Sequence, residues 1–96
     1  MNIAVIFDET GKDVDIIDID ESIAENIHAY LHEFFIWMFD ENNKHRFWRK
    51  TEDGFSYCDY RADAFIEWLR DFGFDKNATL VKEDAGSTYN FPTIVF

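Results

Sequence analysis

Apolar residues first gather in Ile3–Phe7, where Ile3, Ala4, Val5, Ile6 and Phe7 follow one another without a polar break. A short block of this kind before Asp8-Glu9-Thr10-Gly11-Lys12 reads as a strand and a turn. Its apolar side chains fall at both parities, so both faces must be covered and an interior strand is expected. Val14–Ile19 then alternates with aspartate, but the phase slips between Ile16 and Ile17. A β-bulge at that step would bring Asp13, Asp15, Asp18 and Asp20 to one solvent face.

The period changes next. At 100° per residue, Ile23, Ile27, Tyr30, Leu31, Phe34 and Met38 form one stripe, and Glu25, His28, Ala29 and His32 lie opposite. Asp20 or Ser22 caps this helix, and Ser22-Ile23-Ala24-Glu25 fits a capping box. Ile36 and Phe39 break the pattern on the polar side, with Trp37 at the margin of the stripe. Asp40-Glu41-Asn42-Asn43 ends the helix.

His45–Thr51 and Phe55–Tyr60 flank Glu52-Asp53-Gly54, and Asp-Gly between such runs predicts a hairpin. With Asp53-Gly54 as a two-residue loop, Lys50 faces Tyr57 and Trp48 faces Asp59. Arg46, Trp48, Lys50, Phe55 and Tyr57 then share a face. A second helix over Arg61–Phe72 carries Ala62, Phe65, Leu69 and Phe72 on one side, with Ile66 and Trp68 at its edges. Gly73 is its left-handed cap, followed by Phe74 as the hydrophobic contact. Thr79–Lys82 and Phe91–Phe96 read as a last strand pair around Glu83-Asp84-Ala85-Gly86-Ser87. Pro92 lacks an N–H, which sends the final strand to an edge. The order ββαββαββ predicts an α+β fold, a mostly antiparallel sheet with two helices packed on it.

Composition narrows the class. Ninety-six residues with 47% hydrophobic and 19% aromatic content suit one folded domain spanning residues 1–96, not a disordered acidic tail. A lone cysteine, Cys58, excludes an internal disulfide framework and fits a reducing compartment. Met1-Asn2-Ile3-Ala4 has no basic flank of a signal peptide. The nearly uncharged stretch Phe34–Phe39 is far shorter than the roughly 20 residues of a membrane span. A cytoplasmic protein without membrane contact is expected.

Charge is distributed unevenly. Residues 1–41 hold eleven carboxylates against Lys12, and residues 42–51 hold Lys44, Arg46, Arg49 and Lys50 with no acid. Residues 52–96 hold nine acids and four bases, and the whole chain carries −11. A field of this sign repels phosphate polymers, so direct nucleic-acid binding by the basic, aromatic hairpin is not expected.

Catalytic and metal chemistry find little support. The aspartates from Asp13 to Asp20 are interrupted by Ile and Val and enclose no glycine, unlike a calcium loop. His28 and His32 have the spacing for one metal ion, and Glu25 lies nearby. No His-Glu-x-x-His order or cysteine pair accompanies them, so they read as a solvated helix face. Cys58 among strand aromatics reads as a small hydrophobe, not a nucleophile. The four glycines are isolated and form no phosphate loop. No enzyme activity, cofactor or metal is expected.

The remaining reading is a small acidic protein-binding module. It would inhibit by occupying a basic surface of a nuclease, toxin or DNA-binding protein, as immunity and counter-defence proteins and DNA mimics do. Alternate strand residues lie about 6.7 Å apart, close to the roughly 6.8 Å of two base steps, so a carboxylate row resembles phosphates. The expected partner-binding residues are Asp13, Asp15, Asp18, Asp20, Glu21 and Glu25, with Ile36 and Phe39 as an apolar anchor. The second reading is a homodimer, or another homo-oligomeric structural or regulatory subunit without catalytic activity.

Overall fold

The structure, a computed structural model, describes residues 1–7 and 13–96. The turn expected at Asp8–Lys12 lies outside the described residues. The elements are β1 (Asn2–Ile6), β2 (Val14–Asp18), α1 (Glu21–Glu25), α2 (Ile27–Met38), β3 (Trp48–Lys50), β4 (Ser56–Cys58), α3 (Ala62–Asp71), β5 (Thr79–Lys82) and β6 (Thr93–Val95). The fold is α+β, as expected, but it has three helices and two sheets. Four strands lie in the order β5-β2-β1-β6, and β3-β4 stands apart as a two-stranded ribbon.

The four-stranded sheet is mixed. β1 pairs antiparallel with β2 and parallel with β6, and β2 pairs antiparallel with β5, so the sheet is mostly antiparallel, as expected, with one parallel edge pairing. β5 and β6 do not pair with each other as expected but occupy opposite edges, so residues 83–92 must cross the sheet to join them. That crossing covers the face opposite the helices. Ala4, Val14 and Ile16 are buried there, with Ile6, Ala85 and Phe91 packed against them. Both faces of β1 are therefore covered, as its unbroken apolar run requires. Pro92 stands just before β6, at the sheet edge, where its missing N–H costs no ladder bond.

The other face holds the main core. Ile3, Val5, Ile17, Ile19 and Ile94 from the sheet meet Ile23, Leu31, Phe34 and Met38 from α1 and α2, and Phe65, Trp68 and Leu69 from α3. Phe34 is the centre of the aromatic packing, with Phe65 at 5.3 Å, Trp68 at 5.7 Å and Phe96 at 5.9 Å between ring centroids. Burial of large rings in mutual edge and tilted contact is what nineteen per cent aromatic content makes available.

Two local expectations are corrected, and the choice of helix cap is resolved. The first helix breaks at Asn26 (φ −115°, ψ 27°), so α1 and α2 are separate. Asp20, not Ser22, is the N-cap of α1, because its Oδ1 accepts from both the Ser22 backbone N–H (2.9 Å) and the Ser22 hydroxyl (2.7 Å). The hairpin pairs Trp48 with Cys58, Arg49 with Tyr57 and Lys50 with Ser56. Its loop is the three residues Glu52-Asp53-Gly54, with Gly54 at φ +85°, the left-handed position such loops demand. The one-residue change divides the expected face. Trp48 and Lys50 now share a side with Ser56 and Cys58, opposite Arg49 and Tyr57.

Candidate functional site

The register of β2 decides the fate of the aspartates. A shift does occur between Ile16 and Ile17, but only against β5, where Ile16 faces Lys82 and Ile17 faces Leu80. The extra residue is thus Val81 of β5. β2 itself stays in regular register with β1, so its own alternation is never reset. Asp15 therefore points the same way as Ile17, into the helix-covered face, and is fully buried. The expectation that it faces solvent is wrong.

Burial of Asp15 is satisfied by a cation. Arg61, at the N-cap of α3, donates Nη2 to Oδ1 at 2.6 Å and Nε to Oδ2 at 3.2 Å. The Asp84 backbone N–H adds a third bond at 3.2 Å, and the Asp84 carboxylate accepts from Arg61 at 3.1 Å. Hydrogen bonding to Asp15 holds the Arg61 guanidinium well above its usual range, so it stays charged. This is a structural clamp joining β2, α3 and the crossing segment.

The remaining acids separate into groups. Asp13 lies before β2 and Asp18 ends it, on opposite parities and about 17 Å of strand apart. No regular row of carboxylates forms on this strand. Asp18, Asp20 and Glu21 do come together, lining one hollow with Met1, Ile19, Asp75 and Asn77. Glu25 is exposed one helical turn beyond Glu21. The Met1 amino group lies 2.8 Å from Asp18. Fourteen of the chain's acids are exposed, and only Asp18 and Asp84 of these form an ion pair among the described residues.

Ile36 and Phe39 are exposed, at 56% and 51%. They sit at the C-terminal end of α2, a helix of twelve residues about 18 Å long, and do not line the acidic hollow. A different exposed apolar pair directly precedes Asp75, one of the residues lining that hollow. Phe72 (54% exposed) and Phe74 (46%) flank Gly73, whose φ of +74° reverses the chain after α3. Phe74 packs on Trp68 at 5.0 Å and Tyr30 at 5.5 Å, and Phe72 reaches Trp37 at 6.1 Å. α3 ends one residue before Phe72, so the ring leaves the core stripe on which it was expected.

Asp75 fastens this aromatic pair to the acids. It is buried, accepts from the Asp20 N–H at 2.7 Å and from the Asn77 N–H at 3.1 Å, and follows Phe74 directly in the chain. The C-terminus of α3 and the N-cap of α1 are thereby locked side by side. The exposed rings are thus joined through Asp75 to the hollow that Asp18, Asp20 and Glu21 line. Family models, curated proteins and solved structures contain no match to this chain.

The histidine and cysteine candidates resolve differently. Glu25, His28 and His32 are exposed, and no group of three metal-ligating side chains converges among the described residues. Cys58 is half-buried with its Sγ 3.4 Å from the Met38 carbonyl, and burial pushes its thiol above the ordinary 9.0, away from the reactive thiolate. No described helix is long and apolar enough to cross a membrane. Sequence reasoning missed Phe72, Phe74 and Asp75. The Phe-Gly-Phe-Asp order was a usable signal, since a left-handed glycine between two rings turns at least one of them out of the helix stripe.

Proposed function

We propose that this protein is a small acidic protein-binding module that inhibits a basic partner, a nuclease, toxin or DNA-binding protein, by covering its cationic surface. The observation that carries the reading is the pair of exposed rings, Phe72 and Phe74, tied through Asp75 to the hollow lined by Asp18, Asp20 and Glu21. Buried aromatic anchors with a charged surround are the arrangement from which hot spots of protein interfaces are built. The unpaired acids steer a basic partner and set the on-rate, while the rings supply the desolvated contact. Asp13, Ile36 and Phe39 fall outside this face, and Asp15 supports it only through the fold. Charge pairing, not a strand-borne phosphate row, drives recognition. The module works without catalysis, in a cytoplasmic setting that suits its free thiol.

The test is capture from lysate with wild type, a Phe72→Ser/Phe74→Ser variant and an Asp18→Lys/Glu21→Lys variant, at low and high salt. A basic protein retained by wild type at low salt, released by salt and lost in both variants supports the proposal. Equal retention by all three proteins refutes this face.

A homodimer is the second reading, favoured by Ile36 and Phe39, which are exposed at the C-terminal end of α2. Sedimentation showing a monomer across the accessible concentration range, or a dimer untouched by Ile36→Ser/Phe39→Ser, eliminates it.

A further inference from the structure

The positive segment of the chain builds a cleft of its own. Between the hairpin and the loop after α2 lies a space of about 530 Å³ lined by Glu41, Lys44, His45, Trp48, Arg49, Lys50 and Ser56. That volume falls within the roughly 300–1,000 Å³ of small-ligand sites. Lys44, Arg49 and Lys50 outnumber Glu41, leaving the lining with two excess positive charges on a chain of −11.

Those cations are not consumed by the protein's own acids. Arg46 turns to the other side and pairs with Glu67, and Arg61 pairs with Asp15 and Asp84. Lys44, Arg49 and Lys50 have no carboxylate within 4.0 Å among the described residues, despite twenty acids in the chain. Arg49 starts from the other side of the ribbon but folds its guanidinium back onto the carbonyls of Arg46 (2.6 Å) and Trp48 (2.9 Å), at the rim of the cleft it lines, and Lys44 rests on the carbonyl of Glu41 (3.1 Å). These carbonyl contacts leave the charges unneutralised.

The wall is aromatic and rigid. His45 is stacked between Trp37 (4.8 Å, 28°) and Trp48 (5.5 Å, 9°). Both of its nitrogens are occupied, since Nε2 donates to the Met38 carbonyl at 2.7 Å and Nδ1 accepts from the Phe47 N–H at 3.1 Å. The Trp48 indole N–H donates to the Asn43 carbonyl at 2.7 Å. Ring orientation is therefore set before any ligand arrives, and the half-buried Trp48 offers a flat surface for stacking.

We infer that this cleft is a binding site for a small phosphate monoester carrying a planar ring, of mononucleotide size. The ring stacks at Trp48, and the phosphate takes charge-assisted hydrogen bonds from Lys50, Arg49 and Lys44, with the Ser56 hydroxyl as a neutral donor. Size selectivity follows from the field. A long polyanion meets the surrounding acids and is repelled, whereas one phosphate meets only the local excess of positive charge.

The test is a titration followed by backbone amide NMR and tryptophan fluorescence, with adenosine monophosphate, adenosine and inorganic phosphate as separate probes. Adenosine monophosphate is expected to give saturable shifts confined to residues 41–58, with adenosine binding roughly tenfold or more weakly. Lys50→Glu and Arg49→Glu, both at exposed positions, are each expected to weaken the nucleotide by a similar factor while amides elsewhere keep their shifts. No saturation with adenosine monophosphate overturns the inference. So does equal affinity for adenosine, unchanged affinity in both variants, or shifts spread over the distant Lys76 and Lys82.

Discussion

Asp15 and Arg61 are 46 residues apart in the chain and meet at 2.6 Å, the carboxylate fully buried and the guanidinium about one-third exposed. Every Asp15 oxygen has a donor, and no buried side-chain nitrogen or oxygen lacks a partner among the described residues. Asp15→Asn removes the charge and one acceptor, and is expected to cost about 1–3 kcal/mol in urea unfolding. Partial solvation of Arg61 keeps the loss below that of a fully enclosed pair. A joint Asp15→Leu/Arg61→Leu variant is expected to lose less than the two single replacements added together. Additive losses would show that the pair is not a clamp.

His45 closes the end of α2. It donates to the Met38 carbonyl, which the helix itself leaves without an amide partner, and keeps Trp37 and Trp48 apart. His45→Ala is expected to cost about 2 kcal/mol and to alter tryptophan emission. An unchanged unfolding midpoint would place the strength of this junction elsewhere.

Gly54 tests the hairpin loop. A Cβ there would meet nothing within 4 Å, so any cost of Gly54→Ala comes from φ +85° alone. About 1 kcal/mol is expected, with Gly54→Asn less harmful because asparagine tolerates the left-handed region. Equal stability of all three proteins would contradict the loop conformation.

Asp20 contributes to the acid limb of stability. The Ser22 hydroxyl, then the Ser22 N–H, hold its carboxyl below the ordinary 3.8. A lowered folded value means that the unfolded chain takes up the proton first. This contribution is present above 3.8 and disappears as pH falls through the lower folded value. Asp20→Asn keeps a cap oxygen but cannot titrate. Its melting temperature is expected to fall less steeply than wild type on acidification below pH 4, to about 2.

Much of the fold was legible from local pattern. The covered interior strand, the Ile23–Met38 stripe, the Gly73 reversal and the edge position of the last strand each follow from spacing or from one residue's backbone chemistry. The hairpin register did not, because Asp53-Gly54 serves a two-residue loop and a three-residue loop equally well. The candidate site was legible in part. Asp18, Asp20, Glu21 and Glu25 are exposed, the first three around one hollow, whereas Phe72 and Phe74 were hidden by assigning Phe72 to a helix that stops just before it.

The sequence by itself determined the class of element at most positions, the excess of acid, and the aromatic mass that has to be buried. These depend on side-chain chemistry and on periods of two and 3.6 residues, which neighbours in the chain carry between them. Tertiary structure alone decided which acid is inside and which rings are outside. The extra residue of the irregular pairing belongs to β5 and not β2, so Asp15 turns inward to a partner 46 residues away, and Asp75 draws Phe74 up beside Asp20. Pairing partners, and therefore facing, are properties of two strands together, and no single stretch of sequence contains them.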